Sequence, residues 1–74
     1  MKNDLNILEK FGTRLRELRL SRNISQEELG FRSKLDRTYI SSVERGKRNI
    51  SLRNIEKISK ALNIDINEFF KNDN

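Results

Sequence analysis

Cysteine and histidine are both missing from this 74-residue sequence. Without cysteine no disulfide can form, and without either residue the chain lacks the usual protein ligands of zinc. The same absences remove cysteine and histidine nucleophiles and histidine general bases, which carry much of enzyme catalysis. We therefore expect a protein that is not an enzyme and that uses no cofactor and no metal.

Long hydrophobic runs are missing too. No apolar stretch approaches the roughly 18 residues of a membrane span, and no signal-peptide hydrophobic region is present. We therefore expect a cytoplasmic protein without a membrane partner. Proline is absent, and no segment alternates polar and apolar residues over more than a few positions. The sequence thus predicts an all-α fold without a sheet.

Positive charge is what the sequence has in excess. Sixteen Lys and Arg stand against eleven Asp and Glu, which gives a net charge of +5. This balance favours a polyanionic partner. A chain of this length forms one small domain, and such a domain buries only about 60% of its unfolded surface. A dimer would bury more, so homodimerisation is expected.

Helix signals divide the chain into five predicted helices within a domain over residues 7–70, flanked by polar tails at 1–6 and 71–74. The first helix has one apolar face, formed by Ile7, Leu8, Phe11, Leu15 and Leu18. A second helix over residues 26–33 follows a capping box, Ser25 with Glu28. Gly30 inside this helix is costly unless another backbone packs against it.

The third helix begins after Asp36, a good N-cap, and Gly46 is its natural stop. Its apolar side is Leu35, Tyr39, Ile40 and Val43, whereas its other side carries Arg37, Thr38, Ser41, Ser42 and Arg45. The third helix, which follows the helix over residues 26–33, therefore has one polar face that is expected to be exposed to solvent.

Two more helices complete the prediction. Ser51 caps the fourth, whose apolar face includes Leu52, Ile55, Ile58 and Leu62, and Asn63 ends it. Asp65 with Glu68 opens a short fifth helix. That helix is too short to bury the whole apolar cluster of Ile64, Ile66, Phe69 and Phe70. We expect part of this cluster, with Leu52 or Ile55, to form the dimer contact; the alternative is core closure with one exposed aromatic.

The runs QEELG at 26–30 and LDRTYISSVERG at 35–46 resemble the helix-turn-helix of phage-repressor-like (Xre-type) transcription regulators. The longer run LDRTYISSVERGKRNIS is similar to the controller proteins of restriction–modification operons. The resemblance spans residues 11–70 and implies a five-helix lambda-repressor-like fold. It also implies a homodimer on a pseudo-palindromic DNA operator that autoregulates transcription. Such motifs usually have Gly in the turn, where this chain has Lys34 or a neighbour, so a non-Gly residue at positive φ is expected.

The third helix would enter the major groove with its N-terminal residues leading. Arg37 can donate two hydrogen bonds to guanine, and Tyr39 either contacts a base or packs inward with its hydroxyl on a phosphate. The expected base-contacting residues are Arg37, Thr38, Tyr39, Ser41 and Arg48. The expected phosphate-contacting residues are Gln26, Ser42, Arg45, Lys47 and Asn49.

The resemblance implies two further roles. An Arg placed like Arg19 pairs with a Glu near the end of the recognition helix, here Glu44, so we expect a structural ion pair between the first and third helices. Related phage repressors present acidic residues to RNA polymerase from the first motif helix, and Glu27 is the matching candidate in this chain.

Other interpretations stay open. The chain is alternatively a phage-type repressor or the antitoxin of a toxin–antitoxin pair, which a neighbouring toxin or restriction-enzyme gene would decide. A protein-interaction module would use the same helices, but the basic residues 47–48 and Arg37 favour DNA. An enzyme is disfavoured because Asp36 and Glu28 already serve as helix caps, which leaves no pair of acid and base groups.

Overall fold

The computed structural model describes residues 6–71, which form four α-helices followed by a 3₁₀ helix. The α-helices are α1 (Ile7–Ser21), α2 (Gln26–Ser33), α3 (Arg37–Glu44) and α4 (Leu52–Leu62), and the 3₁₀ helix is Ile66–Phe70. No strand occurs within this range, so the all-α prediction is confirmed. Residues 1–5 and 72–74 of the predicted tails lie outside the described residues.

The fifth element differs from the prediction. Asp65 does cap it, accepting a hydrogen bond from the Asn67 N–H at 2.9 Å, but the five residues form a 3₁₀ helix. Lys71 then leaves in an extended conformation. The tighter 3₁₀ geometry is common in short pieces, where few i→i−4 bonds could form. The fold therefore has four α-helices instead of five.

Side chains fix the start of each α-helix. Ser25 accepts from the Glu28 N–H at 2.9 Å, as predicted, but the Glu28 carboxylate binds Arg32 at 2.7 Å and does not complete a capping box. A complete box occurs instead at α1, where Asn6 and Glu9 each accept from the other's backbone N–H. Asn6 thus belongs to the helical domain and not to a frayed tail.

Left-handed residues end the helices where the sequence predicts them. Lys34 ends α2 at φ 63°, Asn63 ends α4 at φ 57°, and Gly46 follows α3 at φ 74°. The prediction of a non-Gly residue at positive φ in the motif turn is confirmed at Lys34. The packing reason for Gly30 is also confirmed, because a Cβ there would lie 2.7 Å from the Leu35 carbonyl oxygen.

One core joins the elements. Its fully buried side chains include Leu15 of α1, Leu29 of α2, Ile40 of α3 and Ile58 of α4. α3 packs on both α1 and α2, and α2 also packs on α4. Gly12 lets α1 approach α3 closely, since a Cβ at Gly12 would lie 2.6 Å from the Glu44 carbonyl oxygen.

In the described part of the chain, no helix is both long and apolar enough to cross a membrane.

The 3₁₀ helix closes one side of this core. Phe69 is only 3% exposed because its ring packs 5.0 Å from that of Phe11 on α1. The prediction that places Phe69 at a dimer contact is therefore corrected: it is a core residue. Arg14 of α1 holds the element through a 2.7 Å hydrogen bond from Nε to the Glu68 carbonyl. The hydrogen bond from the Lys71 ammonium lowers the pKa of the Glu68 carboxyl below its ordinary value.

The remaining apolar residues of the predicted dimer cluster separate into two groups. Ile64 is half-buried against the core, whereas Ile66 and Phe70 are exposed. On α4, Ile55 is buried and Leu52 is 78% exposed. Leu52 and Ile66 lie together in an open groove of about 440 Å³ whose other lining residues are Arg53 and Glu56. Of the residues predicted to form a dimer contact, the exposed ones are therefore Ile66, Phe70 and Leu52.

Candidate nucleic-acid interface

The geometry of α3 presents its N-terminal residues to solvent. Asp36 caps the helix by accepting from the Thr38 N–H at 3.3 Å. Ile40 and Val43 are buried and anchor the opposite face. Arg37 and Thr38, directly after the cap, are both exposed. Within residues 6–71, Arg37 forms no salt bridge, so its guanidinium donors are available to an outside acceptor.

Small residues continue this exposed face toward the C-terminal end of α3. Ser41 and Ser42 are half-buried. Arg45 folds back along the helix, and its guanidinium donates to the Ser41 carbonyl oxygen at 3.3 Å and to the Ser42 hydroxyl at 3.4 Å. Arg45 itself is exposed, so its charge remains at the surface. The two small serines leave space for a ligand to approach the α3 backbone closely, and Arg45 places one cation at the C-terminal end of this face.

Tyr39 lies at the boundary between this face and the core. It is half-buried and packs against the core cluster, which agrees with the inward-packing alternative for its ring. Its hydroxyl accepts a 3.0 Å hydrogen bond from Asn54 Nδ2 of α4. The Arg48 guanidinium carbon stands 4.8 Å from the ring centroid, a cation–π distance. This contact brings Arg48 from the loop onto α3.

A basic loop borders the helix. Lys47, Arg48 and Asn49 follow Gly46 and are all exposed. Arg48 is placed by Tyr39, whereas the Lys47 backbone N–H donates to the Ser42 carbonyl at 2.9 Å. The loop is therefore tied to the end of α3 by both a side chain and the backbone. Its two cations form a rim beside the exposed helix face.

A buried carboxylate connects α1, α2 and α3. Glu44 accepts two hydrogen bonds from Arg19, from Nε at 2.7 Å and from the terminal nitrogen at 3.0 Å. It also accepts one from the Gln26 side-chain amide at 3.0 Å. The predicted phosphate contact Gln26 thus directs its amide N–H inward in this structure. The Gln26 backbone N–H lies in the first turn of α2, where N–H groups have no acceptor within the helix and can donate to an anion.

Sequence reasoning did not single out two residues of this region. Gly12 sets the spacing of α1 and α3 through a backbone contact that only the fold can show. Asn54 binds Tyr39 across elements, and one local signal points to it. It stands three residues after the N-cap Ser51, where Glu or Gln would complete a capping box.

Glu27 and the exposed pair Glu28–Arg32 lie on the solvent side of α2. Phe31, one turn after Glu27, is 80% exposed.

No group of three or more acidic, His or Cys residues within residues 6–71 is arranged to hold a metal ion.

Two short helices, α2 and α3, joined by a tight turn at the left-handed Lys34, with the N-terminal end of α3 exposed, define a helix-turn-helix domain. The family model described as helix-turn-helix matches residues 15–69 of the chain. The chain belongs to this helix-turn-helix family.

Within the family, several of the similar proteins are control proteins. The chain is 57% identical over 65 residues to control protein C.BamHI from Bacillus amyloliquefaciens, a match that covers 86% of this chain and 78% of that protein. It is also 57% identical to the restriction–modification controller protein C.AhdI from Aeromonas hydrophila. That crystal structure superposes with a TM-score of 0.84 and covers 85% of this chain and 96% of that one.

A third similar protein is known with DNA. C.Esp1396I bound to a 25 base pair operator site has a TM-score of 0.81 and 37% identity to this chain. The match covers 90% of this chain and 88% of that one.

Proposed function

We propose that this chain is the controller protein of a restriction–modification system, which binds a pseudo-palindromic operator as a homodimer and regulates its own transcription. The likeness to C.BamHI and C.AhdI across most of each protein supports this proposal. A regulator of this kind acts where the DNA is, which for a bacterial operon is the cytoplasm. No catalytic step and no cofactor are part of the proposal.

The observation that carries the proposal is the exposure of Arg37 and Thr38 at the leading end of α3. The major groove admits an α-helix, and each base pair displays a distinct pattern of donors and acceptors there. Arg37 would donate two hydrogen bonds to guanine O6 and N7. Thr38 would contact a neighbouring base edge, and Ser41, one turn later, is small enough to keep the helix close.

The rim would supply affinity that does not depend on sequence. Each Lys or Arg that neutralises a phosphate releases a condensed counterion, which makes binding salt-dependent. Lys47 and Arg45 would act in this way, while Asn49, Ser42 and the backbone N–H of Gln26 would donate hydrogen bonds to phosphate oxygens. Arg48 would reach either a base edge or a phosphate beside Tyr39.

The proposed dimer uses the groove between α4 and the 3₁₀ helix. A two-fold interface uses the same surface patch on both protomers, so a residue that contacts a second residue of the partner is contacted in turn by that residue's copy. Leu52 and Ile66 would pack together across the axis, and Phe70 would extend the apolar contact. Arg53 of one protomer would then face Glu56 of the other. Two recognition helices should lie about 34 Å apart, one turn of DNA.

Glu27 is proposed as a contact to RNA polymerase when the protein activates transcription. Its carboxylate is exposed on α2, the first helix of the motif. Reversal of this charge in Glu27→Lys should abolish activation while operator binding persists. Glu17→Lys on α1 is the control, because the Glu17 side chain is 56% exposed and lies outside both α2 and the proposed dimer groove. Unchanged transcription with Glu27→Lys would remove this contact from the proposal.

Selection of bound duplexes from a random DNA pool tests the function as a whole. The wild-type chain should enrich a pseudo-palindrome whose half-sites are centred about one helical turn apart. Competitor DNA at moderate salt should remove non-specific binding and leave the enriched site bound. Failure to enrich any sequence would contradict the proposal and favour a protein-interaction module.

A further inference from the structure

Asn54 lies outside the helix-turn-helix, in the first turn of α4, yet its side chain contacts the recognition helix α3. Its Nδ2 donates a 3.0 Å hydrogen bond to the Tyr39 hydroxyl oxygen. We propose that Asn54 is a positioning residue for DNA binding, because it occupies an acceptor site of the Tyr39 hydroxyl and so directs the Tyr39 proton toward a DNA phosphate. This inference rests on the proposed function and assigns a role at the same surface.

The argument begins with the donors and acceptors of the two side chains. A tyrosine hydroxyl has one proton to donate and lone pairs that accept, whereas the Asn54 NH₂ group only donates. Once Asn54 donates, the Tyr39 proton must point elsewhere. Within residues 6–71 the Tyr39 hydroxyl donates to no protein acceptor. A phosphate oxygen, which only accepts, complements a hydroxyl oriented in this way.

The arrangement also strengthens the hydroxyl as a donor. Hydrogen bonds in a chain polarise one another, so a hydroxyl that accepts a bond donates a stronger one. In the proposed complex a series of hydrogen bonds would run from Asn54 through the Tyr39 hydroxyl to the phosphate. Asn54 would then contribute to DNA affinity without touching DNA.

Local structure holds both side chains in place. The Asn54 backbone N–H donates to the Ser51 hydroxyl at 3.1 Å, which fixes the start of α4 beneath the side chain. Glu or Gln at this position would reach back to the cap, but Asn54 directs its amide to Tyr39 instead. On the Tyr39 ring, Arg48 adds a cation–π contact at 4.8 Å. The hydroxyl is thus held between α3, α4 and the basic loop.

The test is a double-mutant cycle on the operator selected with the wild-type chain. Affinity is measured by fluorescence anisotropy over a range of salt concentrations for Asn54→Ala, Tyr39→Phe and the double variant. Tyr39→Phe should weaken dimer binding at least about tenfold, since each of two protomers loses a hydrogen bond to a charged phosphate. Asn54→Ala should weaken it by a smaller factor, since the hydroxyl remains but is no longer directed toward the phosphate. The slope of affinity against salt should not change, because no charge is removed. In the Tyr39→Phe background, Asn54→Ala should have little further effect.

A second variant separates DNA binding from folding. Asn54→Asp keeps the shape of the side chain, and an acid in the first turn of a helix supports the fold. It should melt no lower than the wild type yet bind DNA more weakly, because its carboxylate accepts the Tyr39 proton. The loss should be larger with Tyr39 present than in the Tyr39→Phe background, where only repulsion between the carboxylate and the phosphate remains. Equal losses from Asn54→Ala with and without the Tyr39 hydroxyl would overturn the inference, as would no loss at all. If the wild-type chain selects no operator, the proposed function fails and this role fails with it.

Discussion

Arg19 and Glu44 form a buried, bidentate ion pair that joins α1 to the end of α3. Arg19 Nε lies 2.7 Å from Glu44 Oε2, and the two side chains are 8% and 3% exposed. A further Arg19 nitrogen donates to the Ile24 carbonyl at 2.8 Å, so the guanidinium also fixes the turn before α2. The pair therefore sets the position of α3 against α1 and the turn before α2.

This burial predicts a large stability loss for Arg19→Ala. Removal of one partner leaves the Glu44 carboxylate buried without its counter-charge, which costs about 3–5 kcal/mol. For a domain of this size each kcal/mol lowers the melting temperature by roughly 4–8 °C. Arg32→Ala is the matched control, because its pair with Glu28 is exposed and worth under about 1 kcal/mol. Thermal melts that are equally mild for both variants would refute a structural role for Arg19.

The turn residue Lys34 predicts a stabilising substitution. At φ 63° its Cβ is strained, and glycine removes that strain at the price of a more flexible unfolded chain. Lys34→Gly should therefore stabilise the domain by up to about 1 kcal/mol in urea unfolding. Lys57→Gly, the same substitution inside α4, should destabilise it by about 1 kcal/mol. A loss of stability at Lys34 as large as that at Lys57 would contradict this reading of the turn.

The groove beside Leu52 predicts the oligomeric state. Leu52→Lys should convert a dimer to a monomer in sedimentation, because it places a charge in the proposed apolar contact. Phe31→Lys is the control, since Phe31 is just as exposed but lies on α2 away from that groove. Charge reversal offers a second check. Arg53→Glu and Glu56→Arg should each weaken the dimer alone and restore it when combined. Association of the Leu52→Lys variant at wild-type strength would place the interface elsewhere.

Glu68 predicts a weak acid dependence of the last element. Its folded pKa is depressed, chiefly by the Lys71 hydrogen bond, so the interaction stabilises the fold above the unfolded carboxyl pKa. It is lost as pH falls through the folded value, below the ordinary carboxyl range near pH 4. Wild type should exceed Glu68→Gln in stability at pH 7, and the difference should vanish in acid. A difference that grows as pH falls would have the wrong sign.

Much of this fold follows from local chemistry. Ser25, Asp36 and Ser51 cap helices in the structure as their sequence context predicts, since a cap depends only on its first turn. The Asn6–Glu9 box was missed because the polar start of the chain resembled a tail. Glu28 was available to cap its own helix, but Arg32 competes for it one turn later.

The contacts that the sequence could not reveal are those between elements. Phe69 enters the core because the 3₁₀ helix turns it toward Phe11, which no periodicity in a five-residue segment can show. Gln26 binds Glu44 and Asn54 binds Tyr39 across 18 and 15 positions of chain. Arg19 and Glu44 were paired through a resemblance, and spacing alone gives no such partner. The exposed face of α3 was predicted because helical periodicity separates it from the buried side.

Base preference at the operator tests the central claim most directly. Binding of wild type, Arg37→Ala and Lys47→Ala is measured on the selected operator and on each single-base substitution of one half-site. Arg37→Ala should lose about 1–3 kcal/mol per half-site and its preference at one base pair of each half-site, whereas Lys47→Ala should weaken all sequences alike and reduce the salt slope by about one per protomer. Arg37→Ala that keeps the full wild-type base preference would contradict the claim that the leading end of α3 reads the major groove.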